Sequence, residues 1–122
     1  MSAKPAPELE SLIGYPFKDK NLLRQALTHR SYINENPSWD VDHNERLEFL
    51  GDAVLELVVT ENLYRNYPNP EGEMTNWRAA LVNATILAGI SSEFNLNDYL
   101  LLSRGESKDT GRARHYILAN AM

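Results

Sequence analysis

Leu9, Leu12 and Ile13 recur at helical spacing ahead of Gly14, which predicts a short amphipathic helix closed by glycine. From Asp19 or Lys20 to Leu27, the positions Leu22, Leu23, Ala26 and Leu27 repeat with the same period and predict a second helix. Residues 34–41 carry turn formers and read as a loop. The strongest helical pattern begins near Asp42, where Asp42 and Glu45 have the spacing of a capping box, and runs without proline to about Tyr67. Gly51 is its one weak point: a mid-helix glycine costs about 1 kcal/mol relative to alanine and points to a close approach to the backbone. Pro68, Pro70 and Gly72 punctuate the chain, and a single helix is predicted from about Glu73 to Phe94. Its apolar stripe is Met74, Trp77, Leu81, Ala84, Leu87 or Ala88, Ile90 and Phe94, so Trp77 is expected in the core. Leu96 to Leu102 is short and apolar, residues 103–111 read as a polar loop, and a last helix starts near Arg112 and is still apolar at Met122. No stretch shows a convincing strand alternation. The expectation is an all-α fold of five to seven helices, with residues 1–7 a tail and residues 8–122 one domain.

Composition narrows the class. With 43% hydrophobic and 24% charged residues among 122, the chain has ordinary globular usage, which excludes disorder throughout. No apolar run approaches the roughly 20 residues that span a bilayer, and the N-terminus has no secretory apolar core. The absence of cysteine excludes disulfides, thiolate zinc sites, iron–sulfur clusters and a cysteine nucleophile, and a cytoplasmic location is the default expectation. The net charge is −5, unlike the basic face of a free-standing nucleic-acid binder. Residues 35–61 hold eight acids against Arg46 alone, a local −7, so the rest of the chain sums to +2. An acidic cluster repels phosphate unless metal ions occupy it.

Glu45, Glu48 and Asp52 stand at i, i+3 and i+7, on one face of a helix, with Leu47, Leu50, Val54, Leu57 and Val58 on the other side. Three carboxylates on one stripe repel each other unless water, arginine or a divalent cation compensates. With no His or Cys in the stripe, the all-oxygen donor set points to Mg²⁺ or Mn²⁺ rather than zinc. Such an ion keeps several waters, binds phosphate, and activates a water for attack on phosphorus. The plainer alternatives are a capping role for Glu45 and a solvated acidic face for Glu48 and Asp52. A carboxylate-bridged metal oxidase would need Glu-x-x-His pairs, and there are none.

The run Asn44-Glu45-Arg46-Leu47-Glu48-Phe49-Leu50-Gly51-Asp52-Ala53-Val54-Leu55 closely resembles the signature motif of the ribonuclease III endonuclease domain. The resemblance extends over about residues 8–122, through Ala26 to Tyr32, Tyr64 to Pro68, Glu71 to Met74, Arg78 to Asn83, Arg104 to Glu106, and Ile117 to Asn120. It implies a homodimeric endoribonuclease that cleaves double-stranded RNA to 5′-phosphate and 3′-hydroxyl ends, for instance in ribosomal RNA precursors. It further implies that Glu48, Asp52 and the Asn120 position hold the catalytic Mg²⁺ (Mn²⁺ as substitute), with Glu45 assisting. Glu71 is a further acidic position that contacts substrate, Arg104 lies in the later loop of the resemblance and is assigned to substrate as well, and Phe49 with Leu50 meets the partner subunit. The family usually has Asp at the position of Asn120, and its last catalytic Glu would fall three residues further, past Met122. The expectation is therefore a C-terminally incomplete nuclease domain without the family's double-stranded-RNA-binding domain. The alternative is an inactive RNA-binding or assembly module. His29 and Arg30 could touch substrate, although a structural role is the favoured reading of the residues alone. His115 reads as part of a solvated loop, Trp39 is open to base stacking, and the sequon at Asn83 is dismissed as lying within a helix.

Overall fold

Polar caps and prolines divide the chain into eight α-helices and one 3₁₀ turn among residues 3–122, the part described by the structure, a computed structural model. The helices are α1 (Ala6–Ile13), α2 (Lys20–Ala26), α3 (Arg30–Glu35), α4 (Glu45–Asn66), α5 (Glu71–Leu81), α6 (Ala84–Glu93), α7 (Arg104–Lys108) and α8 (Arg112–Ala121). The 3₁₀ turn covers Leu96–Asp98. The fold is all-α as expected. The one extended pairing among the described residues is a parallel bridge between Thr28 and Leu101. Residues Met1 and Ser2 of the expected tail lie outside the described residues, while Lys4 donates its backbone N–H to Asp98 and α1 begins at Ala6.

The finer division departs from the expectation in four places. The helix expected over 73–94 is two helices, because Asn83 leaves helical geometry and its side chain accepts from the Ile86 N–H as the cap of α6. Residues 103–111 contain α7, capped by Ser103, whose hydroxyl accepts from the Glu106 N–H. A further helix, α3, follows His29, whose ring nitrogen accepts from the Ser31 N–H. The capping box at Asp42 does not form. The Asp42 carboxylate takes the neighbouring His43 N–H instead, and α4 starts at Glu45.

Leu9, Leu23, Leu27, Leu96, Tyr99, Leu100 and Ile117 form the core, drawn from α1, α2, the 3₁₀ turn and its exit, and α8. Gly14 closes α1 in the left-handed conformation, which glycine adopts without a Cβ clash. The following loop is fastened to the buried Glu10, whose carboxylate accepts from Lys20 Nζ at 2.8 Å and from the Phe17 N–H. The Lys20 ammonium, then the Phe17 amide, hold that carboxyl below its ordinary range. Trp77 is only half-buried, edge-on to Tyr67 rather than in the core.

Arg114 is 7% exposed and has no carboxylate partner. Its guanidinium donates to Asn97 Oδ1 at 2.5 Å and to the Glu106 carbonyl at 2.7 Å, tying α8 to the 3₁₀ turn and to α7. Truncation leaves two acceptors short of donors in a partly buried place. Arg114→Ala is expected to cost about 2–3 kcal/mol in urea unfolding. A loss under about 0.5 kcal/mol would mean that water replaces the guanidinium.

Candidate active site

The first turn of α4 is placed by a buried asparagine. The Asn44 N–H donates to the Thr28 carbonyl at 2.9 Å, and its side-chain amide donates to the Ala26 carbonyl at 3.0 Å. Gln25 adds a bond to the His43 carbonyl at 3.3 Å. The loop before Asn44 is pinned as well. Arg24 pairs with Asp40 and lies over the Trp39 ring, while Trp39 Nε1 donates to Thr28 Oγ1. Trp39 is thus engaged within the chain rather than presented for stacking.

Glu45, Glu48 and Asp52 therefore share one face at the start of α4, as their spacing predicts. Glu48 is half-buried and the other two are exposed. Burial first, then the charges of Asp52 and Glu45, push the Glu48 carboxyl above its ordinary value. Glu45 is held by Arg30, with Nη2 to Oε2 at 2.5 Å, and His43 Nδ1 stands 4.0 Å from the same oxygen. This contact sets aside the plain capping role for Glu45. Arg30 and His43 are neighbours of the stripe that its spacing could not reveal, since they come from α3 and the preceding loop.

Glu48, Asp52 and Asn120 border one cavity of about 520 Å³ between α4, α2 and the end of α8. Among the described residues no group of three His, Cys, Asp or Glu side chains converges on a point. Two carboxylates and an amide oxygen leave several coordination positions for water and phosphate oxygens, which suits a hard divalent cation such as Mg²⁺. The repulsion that raises Glu48 is what such a cation relieves.

The remaining candidates lie elsewhere. Glu71 opens α5, beyond the far end of α4 from this cavity. From Asp52 to Asn66 the helix rises about 20 Å, so Glu71 is remote from Asp52 within one chain. The Arg104 N–H donates to both Glu35 carboxylate oxygens, at 3.0 and 3.2 Å, and its side chain is exposed. His29 is half-buried with Nδ1 2.7 Å from Ser31 Oγ, and burial lowers its pKa. His115 is half-buried in α8 rather than in a loop.

Phe49 is 84% exposed and Leu50 60%, and Leu57 and Val58 are open as well. Within this chain nothing approaches Gly51: an added Cβ would meet no atom within 4 Å. The apolar side of α4 is thus uncovered, and Leu63 is its single buried residue.

A family model for ribonuclease-III-like domains matches residues 19–122. The chain belongs to this family. It is 47% identical over 115 residues to Ribonuclease 3 of Syntrophobacter fumaroxidans, covering 93% of this chain and 48% of that protein. It is 46% identical over 122 residues to Ribonuclease 3 of Nitratidesulfovibrio vulgaris, covering 99% and 48%. The chain therefore spans about half the length of the curated relatives it matches. The nuclease domain of ribonuclease III from Campylobacter jejuni superposes with a TM-score of 0.85 at 44% identity, covering 96% of this chain and 78% of that one. In that protein the region involved in dimer formation is structurally flexible.

Proposed function

We propose that this chain is a divalent-metal-dependent endoribonuclease domain that hydrolyses phosphodiester bonds in double-stranded RNA. The observation that carries the reading is the border of the α4–α8 cavity, where Glu48, Asp52 and Asn120 present only oxygen donors. Mg²⁺ bound there would supply a water of lowered pKa and a counter-charge for the phosphate. Glu48 and Asp52 hold it by charge, and Asn120 adds a neutral carbonyl oxygen. Leu47, Val54 and Leu55 along the same cavity limit water on the apolar side. A-form RNA presents shape, phosphates and 2′-hydroxyls, so an acidic body needs no base-reading surface. Products carry 5′-phosphate and 3′-hydroxyl ends, and ribosomal RNA precursors in the cytoplasm are the proposed substrates.

The proposed assembly is a homodimer, supported by the uncovered face of α4 around Phe49 and Leu50. Glu71, remote from Asp52 within one chain, contacts substrate in this reading, as do Arg104 and His29. One observation favours a second reading, a non-cleaving RNA-binding or assembly module: Asn120 adds no charge, and no third carboxylate joins Glu48 and Asp52.

Incubating the chain at high concentration with long double-stranded RNA separates the two. Mg²⁺-dependent cutting that is lost in Asp52→Asn supports the nuclease. Metal-promoted binding without cutting supports the module.

A further inference from the structure

The ion pair between Arg30 and Glu45 joins α3 to the first turn of α4 beside the acidic stripe. Its side chains are 58% and 47% exposed. Exposed pairs of this kind contribute little to stability, so the fold gives weak reason for it. Its effect is to hold a cation in a fixed place. Among the described residues, Arg30 is the one Lys or Arg whose side chain pairs with Glu45, Glu48 or Asp52. The bond to Glu45 is also its one side-chain hydrogen bond, which leaves the other guanidinium N–H groups toward water. The helix that carries it is anchored independently. Ser31 Oγ accepts from the Ser103 N–H at 2.9 Å, Glu35 accepts from the Arg104 N–H, and the His29 N–H donates to the Leu101 carbonyl.

We propose that Arg30 is a phosphate-contacting residue for the duplex substrate, kept aligned by Glu45. This rests on the nuclease reading above. The planar guanidinium fork matches two phosphate oxygens, and its partner carboxylate holds it extended before RNA arrives. A cation at this edge offsets the repulsion that the acidic stripe exerts on a phosphate strand. Glu45 is then a positioning residue whose effect passes through Arg30.

The test is fluorescence anisotropy of the 122-residue chain with a labelled RNA duplex of about two helical turns, in Ca²⁺ and across a salt series. Arg30→Ala is expected to weaken binding about tenfold at low salt and to reduce the slope of log affinity against log salt by about 0.9, the value for one phosphate contact. Arg30→Lys keeps the slope. Arg65→Ala removes another exposed pair, Arg65 with Glu61 on α4 away from the stripe, and leaves the slope unchanged. The effect of Glu45→Ala on affinity is expected to differ at least threefold between the wild-type and Arg30→Ala backgrounds. An Arg30→Ala slope equal to wild type, or an equal loss in Arg65→Ala, overturns the phosphate contact while leaving the nuclease reading intact. Equal Glu45→Ala effects in both backgrounds overturn the alignment. No duplex binding by the unaltered chain in Ca²⁺ overturns the nuclease reading itself, and the Arg30 contact with it.

Discussion

Glu48→Gln is expected to make the metal-free chain more stable at neutral pH and nearly inactive with metal. The Glu48 carboxyl is raised by burial, then by Asp52 and by Glu45. A carboxyl raised in the native state holds its proton more tightly there than in the unfolded chain. Its contribution to stability is whole below the ordinary glutamate value of 4.5 and is lost as pH rises through the native value. Glutamine carries no charge to desolvate, so the variant melts higher than wild type at pH 7 in chelator. The gap closes below about pH 4.5, where both side chains are neutral. Mg²⁺ reverses the order. It stabilises the wild-type chain by mass action and leaves the variant flat. Loss of one charged ligand removes several kcal/mol of charge stabilisation, so cleavage falls about 10³-fold. Melting curves with and without Mg²⁺, beside cleavage rates, check both arms. A variant that keeps full function would favour the module reading over the nuclease.

The sequence made the acidic stripe legible because a helix converts spacing into a face. Glu45, Glu48 and Asp52 needed only the period of α4 to be brought together. What crosses between elements was not legible. Asn44 reads as a motif residue, yet its two bonds reach carbonyls 16 and 18 positions back. The Arg30–Glu45 pair depends on how α3 meets α4, which no periodicity fixes. The helix breaks were partly readable. Ser103 and Glu106 have the capping-box spacing, and Asn83 precedes an apolar run, so both caps of α7 and α6 carried a local signal. The box at Asp42 had the same spacing and failed, because Asn44 is pulled onto α2 and moves the helix start. Local propensity proposes caps, and tertiary bonds choose among them.

Phe49→Ala is expected to weaken the proposed dimer by about 2–4 kcal/mol, which raises the dissociation constant roughly 30- to 1,000-fold. At 84% exposure the ring is not buried in its own chain, so truncation opens no cavity there. Leu50, Leu57 and Val58 form an apolar surround, the setting in which an aromatic anchor dominates an interface. The variant should therefore keep the helical circular dichroism of the wild type and lose self-association. Sedimentation velocity across a dilution series reads the two apart. An unchanged dimer at micromolar concentration would remove Phe49 from the interface and leave the apolar face of α4 to some other contact. A monomeric variant that also melts lower at a concentration where wild type is already monomeric would mean that the ring supports the fold itself. The exposure of Phe49 argues against that outcome, because a side chain in water loses little when it is cut back to alanine.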